Sequence, residues 1–375
     1  MPNQYFRLLD GLRGLAAIAV VVYHFSARSD LGELLPHGYN AVDFFFVLSG
    51  LVVGHAYGQR LRDQMTASQY LRLRWIRLWP MIVPGTLFAA AIEFWRPTTA
   101  ASHIADVVRS AILGSVPLPW PFPTSLEQTI FPLNGPVWSL FFELFASFAF
   151  VVVGRRAWKP WALPILIVAG VFGVCWSIAT TGSVDAGPYV GNWIGGFARV
   201  SCSFFIGVAL VSARRRIPAV RAWVYAVALI VIFLCPVGDG ATNKLFEAVI
   251  VFAIFPLIVA SASHCEVSPS LARLCDRSGE ISYPLYALHY PIVRVICFVM
   301  NRHAIPPIGQ AVICVATVAV TCGISLVASR LYDRPFRRYL TRRFATGSAG
   351  AVKTARPAFA QTFEIPLHFD KATEQ

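Results

Sequence analysis

Apolar runs long enough to cross a bilayer as helices recur from one end of this 375-residue chain to the other. A hydrocarbon core takes about 20 residues of helix to span, so the runs fix the class: an all-α, polytopic transmembrane bundle. Ten spans fall at approximately 12–28, 41–58, 76–95, 136–154, 161–180, 191–212, 222–239, 245–262, 284–302 and 308–329. Charged residues make up only 14%, against about a quarter in soluble domains, and no polar block is long enough for a second folded domain. Residues 1–340 are read as one transmembrane domain and 341–375 as a mobile cytoplasmic tail. The first run is followed by further spans and has no small-x-small cleavage site before HFSARSD, so it is expected to be a retained helix.

A net charge of +13 suggests nucleic acid until it is mapped. Most of the 32 Lys and Arg fall in segments on the N-terminal side of the spans, only Arg28, Arg96, Arg109, Lys244 and Arg302 fall on the other, and Arg199 and Arg294 lie within spans. That asymmetry is the positive-inside pattern. It puts both termini in the cytoplasm and makes the basicity topological, with no nucleic-acid partner. The eight cysteines show no CxxC pair and read as small packing residues.

Leu9–Gly50 carries the most information. Two apolar spans there hold Arg13, His24, Asp43 and Ser49, and ionisable groups inside a bilayer are costly enough to mark function. Eleven positions at 100° per residue return Arg13 and His24 to nearly one helix face, roughly 16 Å apart along the axis. His24 lies near the external end of the first span and Asp43 a few residues into the antiparallel second, at similar depth. A carboxylate on one ring nitrogen would fix the tautomer and raise the basicity of the other, as a general base for a hydroxyl requires. The alternative is a structural His–Asp pair that ties the hairpin.

Arg74 and Arg77, three apart at the inner mouth of span three, either clamp phosphate bidentately or anchor to anionic lipid. Glu143, the only acid in span four, is an acid/base group, a partner for an arginine or an acceptor-hydroxyl ligand. It lies just after the polar corner Asn134–Ser139, which includes Trp138. Ser282, Tyr286 and His289 share one face of span nine and form either a polar cavity wall or a seam between helices. Asp333-Arg334-Pro335 reads as a structural stop, and Gly50, Gly54 and Gly58 as a small-residue ribbon for close helix contact. There is no G-x-S-x-G, Walker A, metal-spaced His/Cys cluster or H-x-x-x-x-D.

LDGLRGLAAIAVVVYHF with its R-x10-H spacing, VDFFFVLSG, RWIRLWP, GPVWSLFFE, and ISYPLYALH with DRPF after it together resemble the membrane acyltransferase-3 family over residues 7–340. The resemblance implies a ten-helix O-acyltransferase of the bacterial-type inner membrane. Such an enzyme moves an acyl group, usually acetyl, from cytoplasmic acyl-coenzyme A to a hydroxyl of an envelope or exported glycan. It implies no permanently bound cofactor, and partners limited to acyl-coenzyme A, the glycan or lipid-linked glycan, and membrane lipid. The family's functional residues carry over onto Arg13 and His24, Arg74 and Arg77, and Glu143. Asp333 stands where the family commonly has Glu. Some members add a periplasmic SGNH esterase-like domain, for which the C-terminal tail is too short. His24, Asp43 and Glu143 are thus expected to be catalytic, with Arg13, Arg74, Arg77, Ser49, Trp138, Ser139, Tyr286 and His289 lining the substrates. Ser49 is also a conceivable covalent carrier. The competing reading is a proton-coupled transporter or flippase relaying protons through His24, Asp43 and Glu143, although the inverted repeats common in transporters are absent from the sequence.

Overall fold

A computed structural model describes residues 6–63, 65–95, 100–154 and 161–345. The chain runs α1 Arg7–Ser26, α2 Ala41–Asp63, α3 Ala67–Phe94, α4 Ala101–Ser115, α5 Val137–Gly154, α6 Ala162–Thr181, α7 Gly195–Ala213, α8 Ala222–Leu234, α9 Gly240–Val249, α10 Phe255–Ala262, α11 Pro269–Met300, α12 Pro307–Ala328 and α13 Arg334–Ala345. One-turn π segments, Ile250–Ile254 and Ser329–Asp333, join α9 to α10 and α12 to α13 without a break. No strand is present among the described residues. Among the described residues, eight helical segments are long and apolar enough to cross a membrane, and Val137–Val152 and Ala222–Leu234 are shorter apolar helices. Together these ten correspond to the ten expected spans.

Four features depart from the sequence reading. An amphipathic helix, α4, lies in the long connection between the third and fourth spans, ahead of Val116–Pro123. Helix α3 starts at Ala67 rather than 76, because Thr66 and Gln69 form a reciprocal capping box; Arg72, Arg74 and Arg77 therefore sit inside it. Helix α11 starts at Pro269 rather than 284, capped by Ser268, whose hydroxyl accepts from the Leu271 N–H. Lastly, Asp333-Arg334-Pro335 does not stop the helix. Pro335 falls in the first turn of α13, where a missing N–H costs nothing, and the preceding π turn absorbs the change of register. The tail assigned from 341 is consequently helical as far as Ala345, and residues 346–375 lie outside the described residues.

Two parallel helix pairs set the frame. Helices α1 and α11 pack along their whole length, from Gly14 against Ser278 at one end to His24 against His289 at the other. Helices α2 and α7 approach backbone to backbone: a Cβ on Gly50 would lie 1.9 Å from the Phe204 carbonyl oxygen, and one on Gly207 would lie 2.1 Å from that of Val47. Gly54 continues this ribbon against Val208 and Val211, whereas Gly58 has nothing within 4 Å of its Cβ position. Lipid tails are as apolar as the helix faces, so association rests on such close packing and on polar partners between helices.

Candidate active site

The first helix carries both ends of the site. At one end Arg13 reaches across to α11: its Nε donates to Ser282 Oγ at 2.8 Å and its Nη2 to the Gly279 carbonyl at 3.0 Å, beside a 2.7 Å ion pair with Asp10. At the other end His24 is half-buried against α11 rather than facing lipid. Its ring stacks on His289 (centroids 5.3 Å apart, 27° between planes) and meets the edge of Tyr290 at 5.0 Å. Neither ring nitrogen of His24 takes a hydrogen bond from the described residues, which leaves a lone pair available.

Asp43 does not orient His24, as the hairpin geometry had suggested. It is fully buried and gives both oxygens to Arg199 of α7, from Nε at 3.1 and 3.0 Å and from Nη2 at 2.8 Å, with Ser203 Oγ at 3.4 Å. Arg199 also bonds Asp185 and the Tyr39 and Ala186 carbonyls, and its guanidinium lies over the Trp138 ring at 5.3 Å. An arginine buried in hydrocarbon takes the nearest carboxylate as counter-ion. Asp43 serves Arg199, and Trp138 packs on the pair.

Glu143 takes the second of its open readings, partner to an arginine. Arg74 Nη2 and Ser49 Oγ (2.6 Å) both donate to its Oε1, and Arg74 Nε donates to Ser147 Oγ at 3.1 Å. Arg74 is 8% exposed, and its Nε and Nη2 are engaged in this buried network. Arg77 lies over the Tyr283 ring at 5.2 Å. Both open readings of the α11 face are realised. Tyr286 shares a 2.7 Å hydrogen bond with Ser139, and Tyr283 donates to the Leu78 carbonyl. His289 donates through Nδ1 to the Leu285 and Tyr286 carbonyls, and its buried Nε2 has no partner among the described residues.

Two cavities link these groups. The larger, about 320 Å³, opens at the Arg13 end among arginines of α3 and α13. The smaller, about 100 Å³, continues inward past Ser49 and Glu143 to Phe45, Ser139 and Tyr286. They share Arg13, Val52, Val53, Arg74 and Arg77 in their walls. The inner end stops at Tyr286, whose ring is 5.9 Å from that of His289, which in turn stacks on His24.

Beyond His24 a charged cap closes the opposite end. Arg28 donates to Glu127 at 3.0 Å and to the Tyr290 hydroxyl at 2.6 Å, Tyr290 donates to Glu127, and Arg294 bonds both Glu127 and Glu93. Sequence reasoning missed this cap and the partner of Asp43. Arg199 and Arg294 were visible as intramembrane cations, and the demand of each for a buried acid was the signal that could have found them.

A sequence profile described as an acyltransferase domain matches residues 6–330. The chain is 34% identical over 181 residues to protein 2 in the picA locus of Rhizobium radiobacter, covering 45% of this chain and 93% of that protein. It is 24% identical over 368 residues to the peptidoglycan O-acetyltransferase OatA of Listeria monocytogenes, covering 90% of this chain and 56% of that one. The chain thus spans little more than half the length of the Listeria protein. No solved structure matches. On the profile match, which runs through every helix from α1 to α12, the chain belongs to the membrane acyltransferase-3 family.

Proposed function

We propose that this membrane acyltransferase moves an acyl group, most simply acetyl, from acyl-coenzyme A to a hydroxyl of an envelope or exported glycan. The observation that carries the reading is the pair of connected cavities, which run from an arginine-lined mouth toward the stacked His24 and His289. The phosphates of coenzyme A are polyanionic and stay in water at the mouth, and the positive-inside pattern supports a mouth that opens to the cytoplasm. The pantetheine arm is long, thin and weakly polar, and suits the inner cavity between helices. The glycan hydroxyl approaches from the capped, external end.

His24, with an uncommitted ring nitrogen, acts as general base. It takes the proton as the hydroxyl oxygen bonds to the thioester carbonyl carbon. The carbon–sulfur bond then breaks, and the departing thiolate recovers the proton from the imidazolium. The ester and free coenzyme A are the products, and no other reactant is needed. The similarity to a peptidoglycan O-acetyltransferase supports a saccharide acceptor.

The test is acyl transfer from acetyl-coenzyme A by the purified full chain in detergent or nanodiscs. His24→Ala should cut turnover by about a hundredfold or more, the scale of general-base catalysis, while the variant elutes and melts as the parent does. Substantial residual turnover would reject His24 as the base. A parent chain that neither hydrolyses nor transfers the thioester would reject the donor.

A further inference from the structure

The mouth of the larger cavity holds more positive charge than its acids neutralise. Seven arginines line it: Arg13 pairs with Asp10, Arg74 with Glu143, Arg334 with Glu280 at 2.6 Å and Arg337 with Asp333, and Arg77 lies over the Tyr283 ring. Arg338 and Arg342 are exposed, and neither has a hydrogen bond or ion pair among the described residues. Four positions apart on α13, they are neighbours on one helix face, where like charges repel. Thr341 lines the same wall.

The helix that carries them is held in place by protein. Arg72 of α3 donates to the Phe344 carbonyl at 3.1 Å and lies over its ring at 5.5 Å, while Arg330, in the π turn before α13, pairs with Glu280 of α11. Two guanidiniums carried on a fixed helix at the rim of a concave site, with no counter-ion among the described residues, are suited to phosphate. Anionic lipid would be met on an open basic face rather than in a cavity that continues inward to Ser139 and Tyr286.

We infer that Arg338 and Arg342 of α13, with Thr341 between them, form the site for the phosphates of the donor's nucleotide end. The inference rests on the donor reading above and places its polyanionic end on the last helix.

The test uses the full chain in phosphatidylcholine nanodiscs, with coenzyme A and inorganic pyrophosphate as probes, comparing the parent with R338A/R342A and R338K/R342K. The alanine pair should weaken coenzyme A binding about tenfold for each guanidinium removed and flatten its salt dependence. The lysine pair, which keeps charge and loses the fork, should recover part of that loss and controls for folding. Equal coenzyme A affinity in the parent and the alanine pair overturns the site. A phenotype of the alanine pair that appears only when phosphatidylglycerol is added assigns the arginines to lipid and also overturns it. Arginine-dependent pyrophosphate binding in a chain with no affinity for coenzyme A keeps the phosphate site and rejects the donor reading instead.

Discussion

Removing Asp43 separates a structural role from a catalytic one. In Asp43→Ala, Arg199 loses three contacts of 2.8–3.1 Å but keeps Asp185 at 3.1 Å and the Tyr39 carbonyl at 3.0 Å. Breaking a buried pair costs about 3–5 kcal/mol, and the surviving Asp185 contact puts this variant near the lower end, about 3 kcal/mol. Arg199→Ala strands two carboxylates, one of them fully buried, and should approach 5 kcal/mol. At about 1.4 kcal/mol per decade, the two changes lower the folding equilibrium constant by roughly 10² and 10³–10⁴. Replacing both residues with apolar ones, Asp43→Leu with Arg199→Met, strands only the part-exposed Asp185 and should cost less than Arg199→Ala alone, which also strands the fully buried Asp43. Reversible unfolding of the detergent-solubilised chain, read by tryptophan fluorescence, gives the order. The reasoning fails if Asp43→Ala keeps parental stability while losing turnover, which would return Asp43 to the catalytic base.

Ser49→Ala removes one donor to Glu143, costs about 1 kcal/mol and should leave acyl transfer within a few-fold of the parent; a dead enzyme with a normal melt would point to a covalent acyl-serine. Gly50→Ala drives a Cβ into the Phe204 carbonyl and should abolish folded protein on size exclusion, whereas Gly58→Ala meets open space and should gain up to about 1 kcal/mol from helix propensity; equal effects would refute the α2–α7 contact. Single cysteines at positions 101–125, in a background lacking the native ones, should react with an impermeant maleimide from outside the cell, and labelling only after lysis would invert the topology.

The apolar runs alone determined that the chain is a bundle of about ten helices, because length and hydropathy are local properties that a bilayer reads directly. Placing Arg13 and His24 on one helix face was equally local, since a helix fixes that relation through its own backbone. Capping and π geometry blurred the ends: Thr66, Ser268 and the turn before Pro335 extended α3, α11 and the last helix beyond their apolar cores. Partnerships were decided only in three dimensions. The sequence pairs Asp43 with His24 on the expectation that an antiparallel hairpin sets them at similar depth, yet a buried carboxylate goes to the strongest cation within reach, and that cation is Arg199, 156 positions away. Glu143 found Arg74, and Arg28 found Glu127, for the same reason. Charge in hydrocarbon has to be compensated by whatever the packing brings near, and sequence distance does not enter that balance.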